Sequence, residues 1–270
     1  MARRQRSFIT TDGMLFLYNT FILFYSFAIR IAALHGNQKA KQWIDGRKNI
    51  FQKLCELRTN NSELIWFHCS SLGEFEQGRP VMEKLRIENS ECRIILTFFS
   101  PSGYEVRKNY RGADLVCYLP IDTQKNANRF IELIKPNVVF FIKYEYWHHY
   151  FHLLKEKNIP LYMVSAIFRN DQVFFRWYGK FFREMLKCVT HFFVQDEKSV
   201  ELLGSVGIRN VTKAGDTRFD RVAEIARNGK HIPVVEKFKG NSILVVAGST
   251  WKPDEELLVQ YIHSHPEVKF

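Results

Sequence analysis

From Glu63 onward the chain alternates short apolar runs with amphipathic stretches, and no other feature restricts its fold as strongly. The apolar runs predict strands over 64–69, 93–99, 114–118, 138–143, 161–165, 191–195 and 211–214. Between most of them apolar residues recur at helical spacing, over 75–87, 103–110, 124–134, 147–157, 174–187 and 197–206. A strand covered on both faces reads as an unbroken β-branched or aromatic run, and Val138-Val139-Phe140-Phe141-Ile142 is the clearest example. Such alternation predicts an α/β domain with a parallel, Rossmann-like sheet. No G-x-G-x-x-G follows the first strand, which disfavours a dinucleotide dehydrogenase.

The pattern restarts near residue 230. Residues 223–239 are charged and polar and read as a linker; a strand is then predicted over 242–247, followed by Gly248-Ser249-Thr250 and a helix from about Asp254. One strand and one helix do not close a domain, so a truncated second domain is expected. The expected organisation is an N-terminal segment over 1–58, a Rossmann-like domain over 59–228, a linker over 229–241 and the start of a second Rossmann-like domain over 242–270.

Charge separates the first segment from the rest. Of the net +11, residues 1–58 carry +7, from ten Lys or Arg against Asp12, Asp45 and Glu56. A basic collar on a near-balanced body argues against nucleic acid as the partner. Inside the collar lies GMLFLYNTFILFYSFAI, residues 13–29, without a charge. Its hydrophobic part, residues 14–29, is 16 residues long and reaches only about 24 Å as a helix, short of the roughly 30 Å hydrocarbon core. No A-x-A-like site closes the run, so a signal peptide fits poorly. The expectation is an aromatic-rich helix seated in, or marginally across, an anionic membrane face; the competing reading is a buried first helix.

Cys55, Cys69, Cys92, Cys117 and Cys188 form no C-x-x-C pair and have no histidine at zinc-finger spacing, so neither a disulfide framework nor a metal site is expected. A cytoplasmic globular part follows. His148 and His152 have i, i+4 spacing, but without H-E-x-x-H they read as surface or packing residues.

In open α/β sheets ligands sit beyond the C-terminal strand ends, so the strand exits carry the candidate chemistry. The first reads Ser70-Ser71-Leu72-Gly73-Glu74. Glu74 at a helix start is either a capping and dipole partner or a general base facing the crevice. Ser100, Ser102 and Gly103 at the second exit suit an anion or an ordinary tight turn. At the fourth exit, Lys143-Tyr144-Glu145-Tyr146-Trp147, aromatics surround one acid. Arg169 follows the fifth strand. Arg218, in Gly215-Asp216-Thr217-Arg218, is placed to meet a carboxylate or phosphate, or to pair on the surface with Asp216 or Asp220.

Taken in order, several segments resemble one family, the 3-deoxy-D-manno-octulosonic acid (Kdo) transferases of lipopolysaccharide assembly. They are the N-terminal apolar anchor, HCSSLGE at 68–74, FFSPSGYE at 98–105, YLPID at 118–122, YEYW at 144–147, IPLYMVSA at 159–166, GDTRFD at 215–220 and GSTWKPDEE at 248–256. The resemblance implies a two-domain GT-B architecture, with an acceptor-binding N-terminal domain on the cytoplasmic face of the inner membrane and a C-terminal domain that binds CMP-Kdo. It implies inverting transfer of Kdo to the lipid A precursor, lipid IVA, with no cofactor or metal. Glu74 takes the place of the family's base and Arg218 that of its second transition-state stabiliser. Ser70, Ser71, Gly73, Ser100, Ser102, Gly103 and Arg169 fall on the acceptor side, and Gly248, Ser249, Thr250, Glu255 and Glu256 on the donor side.

The chain departs from the family pattern in places. Lys143 replaces the first acid of the E-T-E-L-W-P stretch, so that position offers a cation to a donor carboxylate or phosphate, with Glu145 as the available acid. The arginine of N-A-R-L-S is lost, and Arg169 lies two places later. The histidine of S-T-H-x-G-E-E is Trp251. With most of a donor domain missing, the 270-residue chain is expected not to complete the reaction alone. Two alternatives remain: a different GT-B transferase acting on a membrane lipid, and a non-catalytic lipid-binding module.

Overall fold

The computed structural model describes residues 11–56, 63–227, 229 and 231–270. The chain divides into two compact units, Met1–Val222 and Ala223–Phe270.

The first unit opens with three helices, α1 (Thr11–Leu34), α2 (Gln38–Asp45) and α3 (Ile50–Glu56). Seven strands follow: β1 (Leu64–Cys69), β2 (Arg93–Phe98), β3 (Leu115–Tyr118), β4 (Val138–Ile142), β5 (Leu161–Ala166), β6 (His191–Val194) and β7 (Val211–Lys213). All pair in parallel, in the order β3-β2-β1-β4-β5-β6-β7. The crossovers are α4 (Leu72–Glu88), α5 (Pro101–Arg107), α6 (Gln124–Ile134), α7 (His148–Glu156), α8 (Lys180–Leu186) and α9 (Glu197–Ser205); α10 (Arg218–Arg227) follows β7. The parallel α/β class expected from the alternation is the one observed.

The chain runs outward from β1 to β3 and returns to lay β4 on the other side of β1, with His68 opposite both Thr97 and Phe141. All six residues of β1 are buried. On one face Trp66 packs among Phe130, Phe141 and Tyr150 at ring separations of 4.9, 5.2 and 5.6 Å. On the other, Phe67 joins Phe75, Phe98 and Ile142 in a second cluster.

Helix α1 is longer than its apolar core. At 24 residues it reaches about 36 Å, and it is docked along one side of the sheet unit. The Tyr18 hydroxyl donates to Asp122 Oδ2 at 2.5 Å, and Asn19 Oδ1 meets His149 Nε2 at 2.7 Å. Asp122, almost fully buried, also accepts from the backbone N–H groups of His149 and Tyr150, each at 3.1 Å. Burial nevertheless pushes its carboxyl up to about 6.

Several local expectations are corrected by tertiary contacts. Arg47, counted among the collar charges, is turned inward over the Trp43 ring at 3.8 Å and donates to the carbonyls of Trp43, Phe99 and Leu119. Of the surface and packing readings of the histidines, packing holds for His148, which is buried like His149, and burial together with neighbouring histidines lowers His148 to about 3. Among the described residues no cluster of metal-ligating side chains occurs. The helix predicted over 174–187 is instead a 3-10 turn, Val173–Phe175, and α8. The run ends at the extended Arg176 (ψ 152°), and α8 starts after Gly179, where a Cβ would collide with the Val173 carbonyl oxygen.

In the second unit, the stretch expected as a linker over 229–241 carries α11 (Pro233–Lys239), with proline in its first turn and Gly240 at φ +54° ending it. The strand predicted over 242–247 narrows to β8 (Ile243–Leu244), because its parallel partner β9 (Val268–Lys269) supplies only two paired residues. Between them lies α12 (Lys252–Ser264).

Gly179→Ala should destabilise the first unit by about 1–3 kcal/mol, the usual cost of forcing an extra carbon into packed backbone. A urea denaturation midpoint equal to that of the unmutated chain would contradict this account of the break.

Candidate active site

Strand order reverses between β1 and β4, so their exit loops border one crevice. Glu74 stands there, at the third position of α4. Its Oε2 accepts from Ser71 N at 2.8 Å, and Ser71 Oγ lies 3.4 Å away. This is the glutamate half of a capping box, so Glu74 does act as a cap for α4. The site adds something that a cap does not require. Glu74 is 9% exposed, and burial, reinforced by the negative charge of Glu145, pushes its carboxyl up to about 7. An ordinary surface cap gives no such shift, whereas a proton acceptor working near neutrality needs one.

The loops around Glu74 are held close together. Ser100 N donates to Ser70 O at 2.8 Å, joining the β1 and β2 exits. Gly103 permits the approach: a Cβ there would lie 3.0 Å from the Ser71 carbonyl carbon and collide with Phe98. Ser100 caps α5 through Ser102 N at 3.3 Å, the ordinary tight turn among the readings open from sequence. Gly73 is exposed, and a Cβ there would meet nothing closer than Ser71 Oγ at 4.0 Å. The backbone is therefore open to a ligand beside Glu74.

At the β4 exit, Glu145 is the anchored acid. Trp147 Nε1 donates to its Oε2 at 2.8 Å, and His68 Nε2 lies 3.4 Å from the same oxygen. His68 is fully buried and its Nδ1 meets Thr97 Oγ1 at 2.8 Å, where Trp66 Nε1 also donates. Sequence reading did not find His68 or Thr97 as part of the site; their cross-strand register, His68 against Thr97, brings them together. Lys143 has a left-handed φ of 69° and places its ammonium 5.0 Å from the centre of the Tyr144 ring.

Arg218 is paired with Asp216, one of the two partners left open by the sequence. Its Nε donates at 3.1 and 2.9 Å and its Nη2 at 2.5 Å. Burial would raise the Asp216 carboxyl, but the hydrogen bonds from Arg218 and Gln77 outweigh it and hold it down at about 2. Gln77 lies on α4 one turn beyond Glu74, and its Nε2 donates to Asp216 at 3.0 Å. Thr217 Oγ1 donates back to Gln77 O at 2.6 Å. The α4 start and the β7 exit are thus tied, with Arg218 still exposed at the surface. Gln77 was another residue missed from sequence, since its partners lie about 140 residues away. Arg169 stands exposed after β5, its backbone N–H held by Gln172 Oε1 at 3.1 Å.

In the second unit, Gly248, Ser249 and Thr250 precede α12. Ser249 takes φ 60°, and Thr250 Oγ1 donates to Glu255 Oε1 at 3.0 Å. Glu256, next along α12, is exposed.

Comparison with known proteins is consistent with this arrangement. Residues 45–221 match the family model described as 3-deoxy-D-manno-octulosonic-acid transferase (kdotransferase). The 3-deoxy-D-manno-octulosonic acid transferase of Aquifex aeolicus is 28% identical over 214 residues, covering 79% of this chain and 53% of that protein. A bifunctional glycosyltransferase/methyltransferase of Fusobacterium nucleatum is 26% identical over 235 residues, 82% of this chain and 35% of that protein. The chain spans about half or less of the length of these relatives. Among solved structures, a putative UDP-N-acetylglucosamine 2-epimerase from Listeria monocytogenes superposes with a TM-score of 0.57 at 13% identity, covering 77% of this chain and 61% of that one. The enzyme of Neisseria meningitidis bound to UDP-GlcNAc gives 0.54 at 16% identity, with coverage of 77% and 63%. At those identities the likeness shows the shared GT-B-type α/β fold alone. With its family model matched across the whole parallel sheet, the chain belongs to the 3-deoxy-D-manno-octulosonic acid transferase family.

Proposed function

We propose that the chain forms the acceptor side of a glycosyltransferase that moves Kdo from CMP-Kdo to the lipid A precursor, lipid IVA, at the cytoplasmic face of the inner membrane. The observation that carries this reading is Glu74, a buried carboxyl with a pKa near neutrality, beside open backbone at the β1–β4 switch point. In this proposal residues 59–228 hold the acceptor, and residues 242–270 begin the part that holds the donor through Gly248, Ser249, Thr250, Glu255 and Glu256. Glu74 takes the proton of the acceptor hydroxyl as its oxygen attacks the anomeric carbon, and the bond to CMP breaks with inversion. Arg218, already hydrogen-bonded to Asp216, offers its exposed guanidinium to the developing negative charge. Lys143 adds a cation at the β4 exit, and Glu145 sets the field in which Glu74 titrates. Ser70, Ser71, Gly73, Ser100, Ser102, Gly103 and Arg169 line the acceptor side.

The membrane reading rests on α1, whose residues 12–34 are long and apolar enough to cross a bilayer and are mostly unburied. Its neighbourhood is the crevice itself. Tyr25 stacks on Phe99 at 6.0 Å, Phe99 meets Trp147 at 4.8 Å, and Trp147 holds Glu145. A lipid-borne acceptor arriving along α1 reaches the site without leaving the membrane surface.

The test is CMP release from CMP-Kdo with lipid IVA as acceptor, assayed on the product of the whole reading frame. Glu74→Gln should lower turnover by about 10²–10⁴-fold, the usual contribution of a positioned base. Unchanged turnover would remove Glu74 from the chemistry, and turnover with UDP-sugars in place of CMP-Kdo would replace the donor assignment.

The pH dependence follows from the same carboxyl. The base must be ionised, so the rate should rise with pH through about 7. Glu145→Gln removes a neighbouring negative charge, so the rising limb should move to lower pH; a limb that stays put would contradict the coupling. Stability runs the other way. A carboxyl raised in the folded state from 4.5 to about 7 stabilises most below its unfolded pKa and loses that contribution as pH rises through 7. Glu74→Gln should therefore melt higher than the unmutated protein at pH values above 7, and this advantage should vanish in mild acid.

A further inference from the structure

The amphipathicity of α1 is inverted relative to a helix seated on a soluble domain. Three of its central polar residues face the protein: Tyr18, Asn19 and Ser26 lie on the docked side with Ile22 and Ala33. Its outward side is almost wholly hydrophobic, with Phe16, Phe21, Leu23, Phe24 and Phe27 each more than half exposed. Apolar side chains normally face the core and polar ones water, so the exterior that suits α1 is hydrocarbon. The docking also runs along the helix. Tyr18 is fastened near its start, Tyr25 meets Trp43 at 6.2 Å midway, and Ala33 is buried near its end. A helix crossing the bilayer would leave the domain along most of that length.

A second feature lies beside it. Phe181 of α8 approaches the Tyr18 ring at 6.2 Å and stacks on His148 at 4.8 Å. Just before it, Trp177 and Tyr178 project at 81% and 54% exposure, flanked by exposed Arg176 and Lys180. Aromatic rings between cations are the composition of a lipid interface. Exposed Arg30, Lys39 and Lys41, at the end of α1 and on α2, extend the positive charge and select an anionic surface.

We infer that α1 lies flat in the interface of an anionic bilayer, held by its polar side to the domain, and that the Trp177–Tyr178 turn is a second point of lipid contact. The inference deepens the membrane reading above and rests on it. Its test uses the chain with Cys55, the exposed cysteine, changed to serine and a single cysteine introduced as Asp12→Cys or His35→Cys. In sealed inside-out vesicles from expressing bacterial cells, an impermeant maleimide should label both positions without detergent. Labelling of either only after detergent shows a spanning helix and overturns the flat orientation while leaving membrane attachment intact. Flotation with synthetic vesicles should be stronger for phosphatidylcholine mixed with phosphatidylglycerol than for phosphatidylcholine alone. Trp177→Ala/Tyr178→Ala should weaken it by roughly tenfold, the factor expected for about 1.4 kcal/mol, with an unchanged melting temperature. Unchanged flotation of that variant removes the second contact. Failure to float with either lipid, with a dimer on gel filtration, assigns the apolar face to a second copy and overturns the membrane reading as well.

Discussion

The parallel pairing of β1 with β4 is the constraint on which the rest of the site depends. It is held by the fully buried β1 and the largely buried β4, whose aromatic residues interlock across both faces of the sheet, Trp66 with Phe141 on one and Phe67 with Phe140 on the other. Because the chain leaves β1 in one direction and comes back on its other side, the loop carrying Glu74 ends beside the loop carrying Glu145. The raised carboxyl of Glu74 results from that placement. It is a buried group within the field of a second acid, which is itself fixed by Trp147 and His68. Two acids in distinct surroundings, one anchored by donors and one desolvated, are the usual way a protein separates the roles of carboxylates.

Two sets of contacts carry the influence of this crevice outward. Beneath it, Gln77 ties α4 to Asp216 and Thr217, so the turn bearing Arg218 is registered against the helix bearing Glu74. Above it, the aromatic series Tyr25, Phe99 and Trp147 joins the first helix to Glu145. The second link gives the inverted helix a role within the proposed chemistry. In the proposed arrangement, an acceptor dissolved in a membrane needs the carboxyl of Glu74 at the membrane plane, and a flat helix fastened to the crevice rim would keep it there.

Much of the sheet was legible in the sequence because strands buried on both faces leave continuous apolar runs; β1 was predicted over its full length and β4 to within one residue. Glu74 and Glu145 were legible as acids at strand exits, a position that parallel topology makes meaningful. What escaped was set by partners far away in sequence. The turn between Phe175 and α8 closes where Gly179 lies against a carbonyl six residues back, a three-dimensional contact with no periodic signature. Arg47 reads as a collar charge until the rings of Trp43, Phe99 and Tyr118 are seen around it. The docked side of α1 escaped for the same reason. Tyr18 and Asn19 look like flaws in an apolar segment, and only Asp122 and His149, more than a hundred residues on, show what they hold.

The central claim is that the β1–β4 switch point makes a poised base out of a helix-capping glutamate. Its most direct measurement is a carboxyl-resolved NMR titration of Glu74, assigned by comparison with Glu74→Gln. The account predicts a midpoint near 7, falling when Glu145 is neutralised. A midpoint at the ordinary glutamate value of about 4.3, indifferent to Glu145, would leave Glu74 as a cap and contradict the account.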